Sequence, residues 1–208
     1  MTPVAMDLPD WLNVSRETHS KLQAFLALVI KWNRTINLVS TNSLLDGWTR
    51  HMLDSAQLWG AAQILDGLWL DMGSGGGFPG LVMAIIAKEQ APNMRISLIE
   101  ADRRKSVFLS EAARQLSLTV DVHPDRVERI SGLAASVVSA RALAPLDELL
   151  GRAKRHLAAG GVAVFPKGQG FEAELSEARK RWRFDCDCIQ SKTDPKAVML
   201  RIENIHNV

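Results

Sequence analysis

The segment Asp71-Met-Gly-Ser-Gly-Gly-Gly-Phe-Pro-Gly80 decides the fold prediction for this chain. It begins at the end of a short apolar run, Leu68–Met72, and leads into a second apolar run, Leu81–Ala87. Glycines crowded between two such runs permit a sharp turn and the close approach of a ligand, because glycine carries no Cβ atom. The segment therefore predicts a strand, a ligand-binding glycine loop and a helix, in that order.

The loop satisfies two different cofactor patterns. Gly75, Gly77 and Gly80 match the dinucleotide pattern G-x-G-x-x-G. Asp71, Gly73, Gly75 and Gly77 form acid-x-G-x-G-x-G, which resembles motif I of the class I methyltransferases. A carboxylate at the strand end repels a pyrophosphate but attracts the ammonium and sulfonium charges of S-adenosylmethionine. Asp71 therefore favours S-adenosylmethionine, and an NAD-linked oxidoreductase is the alternative.

A second acidic residue ends the next predicted strand. Glu100 lies twenty-three residues beyond Gly77, close to the spacing of about 20 residues at which an acid meets ribose hydroxyls in this architecture. Both candidate cofactors contain such a ribose, so Glu100 supports the fold more than the choice of ligand. The alternative interpretation is a solvated carboxylate at a strand end.

Beyond the loop, short apolar runs alternate with amphipathic ones. We predict strands at Leu68–Met72, Ile96–Ile99, Leu118–Val122, Ala135–Ser139 and Val162–Phe165, then a helix at Phe171–Trp182 and an antiparallel hairpin formed by Phe184–Ile189 and Ala197–Ile202. Alternation of this kind is typical of βαβ units. The prediction is an α/β fold with a seven-stranded, mostly parallel sheet.

The residues before the first strand have the periodicity of helices. Apolar side chains recur at intervals of three and four from Glu17 to Ile36, and a second helix is predicted from Leu44 to Leu65. A chain of 208 residues is of single-domain size. We predict one domain, residues 1–208, with a helical extension at 1–65 and a cofactor-binding core at 66–208.

Composition places the chain among ordinary globular proteins. It is 47% hydrophobic and 23% charged, with a net charge of +2, which is compatible with a basic patch but does not identify a polyanionic partner. No apolar run reaches the roughly 18 residues that span a bilayer, and the start of the chain lacks a signal-peptide layout. We expect no disulfide between Cys186 and Cys188, and a monomer in the cytoplasm.

Two common methylation chemistries are disfavoured. Methylation of base amino groups usually relies on an Asn/Asp-Pro-Pro-aromatic motif after the fourth strand, where this chain has Ser139-Ala-Arg-Ala-Leu143. Methylation at pyrimidine carbon 5 needs a cysteine nucleophile near the same edge. The cysteines of this chain lie instead in the predicted final hairpin.

Six segments spread over nearly the whole chain are typical of one family. They are Trp32-Asn-Arg-Thr-Ile-Asn-Leu38, His51-Met-Leu-Asp-Ser55, Asp71–Gly80, Arg104-Lys-Ser-Val-Phe-Leu109, Arg126-Val-Glu128 and Ser139-Ala-Arg-Ala-Leu-Ala-Pro145. Through them the chain resembles the bacterial 16S ribosomal RNA guanine-N7 methyltransferases once called glucose-inhibited division protein B. The resemblance implies a class I, Rossmann-like fold, S-adenosylmethionine as cofactor and 16S rRNA or the small ribosomal subunit as partner. It also implies methylation of one guanine of the 530 loop, guanine 527.

The resemblance assigns roles to individual residues. It places Gly73 and Phe78 beside the methionine part of the cofactor, Glu100 at the ribose, Val127 and Glu128 near the adenine, and Arg141 at the cofactor and reaction face. The family often has threonine or proline where Ser74 and Gly76 stand, and aspartate where Glu100 stands. Arg141 could equally be a buried partner of Asp71 or Glu128.

Guanine N7 has a lone pair and no proton, so its methylation requires no general base, and the chain shows no obvious catalytic dyad. Arg141 and Lys167 are the candidate RNA-binding residues, because they follow predicted strands at the cofactor edge of the sheet. We expect His51 and Asp54 to form a hydrogen-bonded structural pair and expect no metal site. A non-catalytic RNA-binding module is the remaining alternative.

Overall fold

The computed structural model describes residues 6–208 and is built around one seven-stranded sheet. Its strands are β1 Leu68–Met72, β2 Arg95–Ile99, β3 Asp121–His123, β4 Ala135–Ser139, β5 Leu157–Lys167, β6 Trp182–Gln190 and β7 Val198–Asn207. Their order across the sheet is β3-β2-β1-β4-β5-β7-β6. The strands from β1 to β5 pair in parallel, whereas β7 is antiparallel to both β5 and β6. The predicted α/β class is therefore confirmed.

Helices cover both faces of this sheet. They are α1 Arg16–Trp32, α2 Thr41–Leu44, α3 Asp54–Ala62, α4 Gly80–Gln90, α5 Arg103–Gln115, α6 Leu146–His156 and α7 Phe171–Ala178. A π-helical segment, Trp48–Leu53, precedes α3, and a 3-10 turn, Val127–Arg129, precedes β4. Across residues 6–208, none of these helices has the length and apolar character needed to cross a membrane.

Two hydrophobic clusters, one on each face, hold the layers together. Side chains alternate along β1, so Trp69 joins the cluster beneath α1, α3, α4 and α5, while Leu68 and Leu70 join the cluster beneath α6. The first cluster contains Leu22 and Phe25 of α1 together with residues of β1 and β2. Within the helical part at the start of the chain, α3 packs against β5 and β7 of the sheet, whereas α1 packs against α4 and α5.

The predicted strands overlap those of the structure, although β5 and β7 run well beyond the predicted Val162–Phe165 and Ala197–Ile202, and other elements differ in their bounds. The third strand lies later than predicted, at Asp121–His123 instead of Leu118–Val122, because only its last residues pair with β2. The predicted helix Phe171–Trp182 ends at Ala178, since Trp182 already begins the final hairpin. That hairpin is antiparallel and lies at the edge of the sheet, as predicted.

The predicted helix from Leu44 to Leu65 is interrupted. The chain forms α2, the π-helical segment and α3 in succession, and the helical part ends at Ala62, before Gln63 takes a left-handed conformation. The wide π turn buries Trp48, His51 and Met52 on one side. Such turns occur mostly as short insertions in α-helices and often lie beside functional sites.

Cys186 and Cys188 are both free thiols on β6. Residues two positions apart on a strand face the same side, so the two thiols are neighbours. Burial and the adjacent Cys188 raise the pKa of the Cys186 thiol to about 12.

Candidate active site at the carboxyl edge of the sheet

The glycine loop, residues 73–79, is tied to the neighbouring strand by backbone hydrogen bonds. The amides of Gly73 and Ser74 both donate to the carbonyl oxygen of Ile99, at 2.8 and 3.0 Å. Gly73, Gly75 and Gly77 have φ angles of +69°, +54° and +89°, a region that side chains with a Cβ atom rarely occupy. Repeated glycine is therefore what allows the chain to turn here between β1 and α4.

The three glycines serve different purposes. A Cβ atom on Gly75 would have only the Gly73 carbonyl oxygen nearby, at 3.9 Å, so this glycine faces open space. A Cβ atom on Gly77 would lie 2.8 Å from Phe25, and one on Gly73 would lie 2.6 Å from Leu143. Gly77 thus allows close packing against the core, whereas Gly75 leaves room above the loop.

Asp71 lies beneath the loop and is completely buried. Its carboxylate accepts hydrogen bonds from the Gly80 amide at 3.0 Å and from the Ser139 hydroxyl at 2.8 Å. Burial raises the pKa of Asp71 to about 6, although hydrogen bonds from Ser74, Ser139 and Gly80 act in the opposite direction. The structure corrects the expected contact of Asp71 with a positively charged ligand, because this carboxylate instead joins β1 to α4 and β4.

A cavity of about 510 Å³ opens above the loop. Seven of the nine residues predicted to bind a cofactor line it: Gly73, Gly75, Phe78, Glu100, Val127, Glu128 and Arg141. The two others lie below its floor, because Asp71 is completely buried and Gly77 packs against Phe25. The volume is within the range of about 300–1,000 Å³ that is usual for small-molecule sites.

Glu100 connects the end of β2 to the loop. One carboxylate oxygen accepts the Gly75 amide at 2.7 Å, and the other accepts the Asp102 amide at 2.8 Å. An ionised carboxylate has about four acceptor positions, so acceptor capacity remains for ligand hydroxyls. Glu100 is only 9% exposed, which places that capacity at the cavity wall instead of in bulk solvent.

The opposite wall comes from the 3-10 turn. Val127 is buried and supplies apolar surface, whereas the carboxylate of Glu128 pairs with Arg152 at 2.8 Å. The wall thus combines an apolar contact with an ion pair at its rim. It suits a flat, partly polar ring such as a purine.

A second cavity, of about 950 Å³, adjoins the first. Its wall comes from the π-helical segment, the end of β5, the turn between β6 and β7, and the loop after β4. Arg141, Ala142 and Leu143 line both cavities. The loop that follows β4 is therefore the partition between the two spaces.

Arg141 is held in this partition by several contacts. One guanidinium nitrogen, Nη1, donates to the Arg50 carbonyl oxygen at 3.1 Å and lies 3.4 Å from a carboxylate oxygen of Asp54. The guanidinium carbon lies 5.2 Å from the ring centre of Phe78. The acidic partner of Arg141 is thus Asp54, and the alternative partners suggested by the sequence, Asp71 and Glu128, make no such contact.

His51 contributes a fourth contact to Arg141. Arginine can only donate, so the 3.0 Å contact between Arg141 Nη2 and His51 Nδ1 requires an unprotonated Nδ1. The other ring nitrogen then donates to the Ser43 hydroxyl at 2.9 Å. Burial, together with the charge of Arg141, lowers the pKa of His51 to about 4. His51 is therefore a neutral acceptor, and it meets Asp54 through Arg141 instead of directly as predicted.

Lys167 lies at the wall of the larger cavity, but its charge is already paired. Its ammonium donates to Glu174 at 2.7 Å and to the Ala144 carbonyl oxygen at 3.3 Å. Only 11% of its side chain is exposed. Within residues 6–208 there is no cluster of three or more His, Cys, Asp or Glu side chains that could hold a metal ion.

Sequence reasoning missed several residues of the site. Leu38 and Val39 line the smaller cavity. The side-chain oxygen of Asn33 holds this segment, because it accepts hydrogen bonds from the backbone amides of Leu38 and Val39, at 2.8 and 3.0 Å. Asn33 and Leu38 belong to the motif Trp32–Leu38, so the sequence contains a local signal for this part of the site. Ser139, which bridges Asp71 and Trp69, was also visible in a motif, but no local pattern shows which side chain such a hydroxyl will meet.

The arrangement suits a transfer between two bound molecules. The smaller cavity offers a carboxylate, backbone amides and apolar surface, and the larger one offers Arg141 and space for a bulkier partner. Neither His51 nor Asp71 is free to act as a general base, because both are engaged in hydrogen bonds. Holding two reactants in contact is therefore the chemistry that this site can supply.

Comparisons with known proteins agree with this chemistry. A family model described as rRNA small subunit methyltransferase G matches residues 18–197. A protein of Ruegeria sp. strain TM1040 named Ribosomal RNA small subunit methyltransferase G is 52% identical over 95% of this chain and 96% of its own length. A protein of the same name from Ruegeria pomeroyi is 49% identical over 98% of this chain and 100% of its own length.

Solved structures show the same fold. A SAM-dependent methyltransferase from Aquifex aeolicus is 12% identical and superposes with a TM-score of 0.59, covering 85% of this chain and 97% of that one. At this identity the likeness concerns the class I methyltransferase fold alone. The family model and the sequence relatives favour the methyltransferase prediction over the NAD-linked oxidoreductase and the non-catalytic RNA-binding module.

Proposed function

The chain belongs to the rRNA small subunit methyltransferase G family, and from this membership we propose that it methylates N7 of a guanine in 16S rRNA. The position is guanine 527 of the 530 loop, which is the target that the family resemblance implies. The observation that carries the proposal is the position of Arg141 at the partition between the two cavities. A residue in that position contacts both a cofactor below and a nucleotide above.

The smaller cavity fits S-adenosylmethionine. Gly75 leaves room for the methionine part beside Gly73 and Phe78, and Glu100 retains acceptor capacity for the ribose hydroxyls. Val127 offers an apolar surface to the adenine, with Glu128 at the rim. Asp71 and Gly77 contribute indirectly, because they shape the loop from below.

The residues of this chain position the reactants and exclude water. When bound, the cofactor supplies an electrophilic methyl group on a sulfonium, which the lone pair of guanine N7 accepts without a general base. Phe78 and the stacked ring of His51, with centroids 5.0 Å apart, form a rigid surface under Arg141. The fixed guanidinium has donors left for the base or its phosphate, and preorganised groups of this kind lower a barrier without reorganising.

The RNA-facing surface is the larger cavity and its rim. Arg141 and Lys167 lie in its wall, and we propose that they meet RNA there, with the pairing of Lys167 to Glu174 exchanged for a phosphate. Binding then weakens as salt rises, because counterions are released from the phosphates. The unit that acts is one monomer in the cytoplasm, in which the helical part at 1–65, whose first five residues lie outside those described, and the core at 66–208 work as one domain.

The test is methyl transfer to defined ribosomal substrates. Purified protein and labelled S-adenosylmethionine are incubated with naked 16S rRNA, partially assembled particles and whole small subunits from cells that lack the modification. Nucleoside analysis then identifies 7-methylguanosine, and borohydride–aniline cleavage followed by primer extension locates it. A transcript with adenine in place of the target guanine is the control.

The expected result is incorporation into at least one substrate, at one guanine, and its absence from the control. If none of the three substrates gains a methyl group, the proposal is refuted. Calorimetry with S-adenosylhomocysteine and NAD provides a second arm. Tight binding of NAD with no heat from S-adenosylhomocysteine would also overturn it.

A further inference from the structure

The turn between β6 and β7, residues 191–197, is fastened to α3 by two side chains. The amide of Gln57 donates to the hydroxyls of Ser191 and Thr193, at 3.2 Å each, and its oxygen accepts the Lys192 amide at 2.8 Å. Gln57 and Ser191 are both buried, at 7% exposure. Residues more than 130 positions apart in the chain are thus joined by a closed set of hydrogen bonds.

Asp54 connects this set to the partition. Its Oδ1 atom accepts a hydrogen bond from the Thr193 hydroxyl at 3.0 Å and lies 3.0 Å from the Gln57 side-chain nitrogen, whose two hydrogens are shared among Asp54, Ser191 and Thr193. Its Oδ2 atom faces the Arg141 guanidinium at 3.4 Å. Because a carboxylate is planar, fixing Oδ1 also fixes the direction in which Oδ2 points.

From these contacts we propose that Thr193 is a positioning residue for Arg141 and acts through Asp54. The Thr193 hydroxyl orients the carboxylate, and the carboxylate holds the guanidinium between the two cavities. The inference rests on the proposed function in one respect, namely that Arg141 works at the reaction face. The positioning itself is independent of the RNA substrate.

A purely local role does not account for the Thr193 hydroxyl. The turn is already closed by other groups, since the Ser191 hydroxyl accepts the amides of Thr193 and Asp194, at 3.2 Å each. The Thr193 hydroxyl lies 3.1 Å from the Ser191 hydroxyl of that closure, but it donates its own hydrogen to Asp54. Thr193 also lines the larger cavity but not the smaller one, so it approaches Arg141 from the substrate side.

The kinetic test compares three variants of the full chain. Thr193→Val keeps the shape of the side chain and removes the hydroxyl, so we expect kcat to fall about tenfold with little change in KM for the RNA. Thr193→Ser keeps the hydroxyl and should restore kcat. Thr119→Val, at an exposed threonine outside both cavities, is the matched control and should behave as the wild type.

A mutant cycle identifies the route of the effect. In the Arg141→Ala background, Thr193→Val should cost nothing further, because the group that it positions is absent. The same tenfold cost in both backgrounds would overturn the proposal. A rise in KM at unchanged kcat would overturn it as well, since that pattern means direct contact between Thr193 and the substrate.

A spectroscopic measurement separates this inference from the proposed function. The side-chain Nε–H resonance of Arg141, assigned with Arg141→Lys, should shift or broaden in Thr193→Val and remain in place in Thr193→Ser. Unchanged resonances in Thr193→Val would refute the positioning role even if the enzyme is active. Failure of the wild type to modify rRNA would refute the proposed function and leave this measurement intact.

Discussion

Adding a side chain at Gly75 tests whether the loop carries the cofactor. A Cβ atom at Gly75 would meet nothing closer than 3.9 Å in the protein. Any loss of cofactor affinity therefore comes from a clash with the ligand or from backbone strain. Intruding methyl groups in a packed site cost about 1–3 kcal/mol, which weakens binding about 5- to 150-fold. We expect Gly75→Ala at the lower end of this range and Gly75→Val at the upper end or beyond.

The strain is measured separately with Gly160→Ala. Gly160 also has a positive φ, +72°, and a Cβ atom there has nothing within 4 Å, but the residue lies outside both cavities. The left-handed conformation costs an alanine about 1 kcal/mol, equivalent to about 2–4 °C in Tm for a chain of this size. Both alanine variants should show this shift, and only Gly75→Ala should lose affinity.

The assay is isothermal titration of each variant with S-adenosylhomocysteine, together with scanning calorimetry. Wild-type affinity in Gly75→Val would show that the cofactor lies elsewhere. An equal loss of affinity in Gly160→Ala would show that the effect is a general consequence of strain. Either result would refute the assignment of the smaller cavity.

Three further predictions concern ionisable residues of the site. Glu100→Gln should weaken S-adenosylhomocysteine binding about tenfold or more in calorimetry. In the wild type two backbone amides donate to the two carboxylate oxygens, whereas the glutamine side chain has only one acceptor oxygen for both. Unchanged affinity would mean that Glu100 is not part of the site. The pKa of Asp71 is raised to about 6, so the folded state holds the proton more tightly than the unfolded state does. The free energy of unfolding measured with denaturant should therefore fall by about 3 kcal/mol as pH rises from about 4 to 6 and stay constant above pH 6. Asp71→Asn should lose this pH-dependent fall, and an unchanged pH profile in the variant would contradict the burial argument. The pKa of His51 is lowered to about 4, so its effect on stability has the opposite pH dependence. Its contribution is complete above pH 6.5 and is lost as pH falls toward 4. His51→Gln should be less sensitive to acid in the same measurement, and equal sensitivity would mean that His51 is not buried as a neutral ring.

The sequence predicts this fold well wherever a single segment contains the whole signal. β1 and β4 agree to the residue because each is a buried run with clear limits. The apolar pattern misplaces the third strand because Leu118 and Val120 are apolar for a different reason, namely packing against the hydrophobic cluster outside the paired part of the strand. Pairing with β2 decides the position of β3, and that information is not local.

The same distinction applies to the site. Gly75 and Glu100 could be predicted as cavity residues because Gly75 lies in a contiguous motif after one strand and Glu100 lies at a fixed spacing from it, at the end of the next. The partner of Arg141 could not, since several acids were available and only the tertiary structure selects Asp54. The contact between Asp54 and Thr193 spans 139 positions, and hydroxyl and carboxylate groups are too common for composition to indicate such a pair.

The position of Asp71 shows why the acid and the last glycine of the loop belong together. A Cβ atom on Gly80 would lie 2.7 Å from the Asp71 carboxylate and 2.3 Å from Leu98, so only glycine lets the first amide of α4 reach that carboxylate. The helix N-terminus carries partial positive charge, and Asp71 compensates it from within the protein. A loop whose helix dipole is already satisfied by its own carboxylate has less to offer a pyrophosphate than an ordinary dinucleotide loop. The acid therefore selects against a phosphate-bearing cofactor through the helix it caps, and a direct contact with the cationic ligand is not needed for that selection.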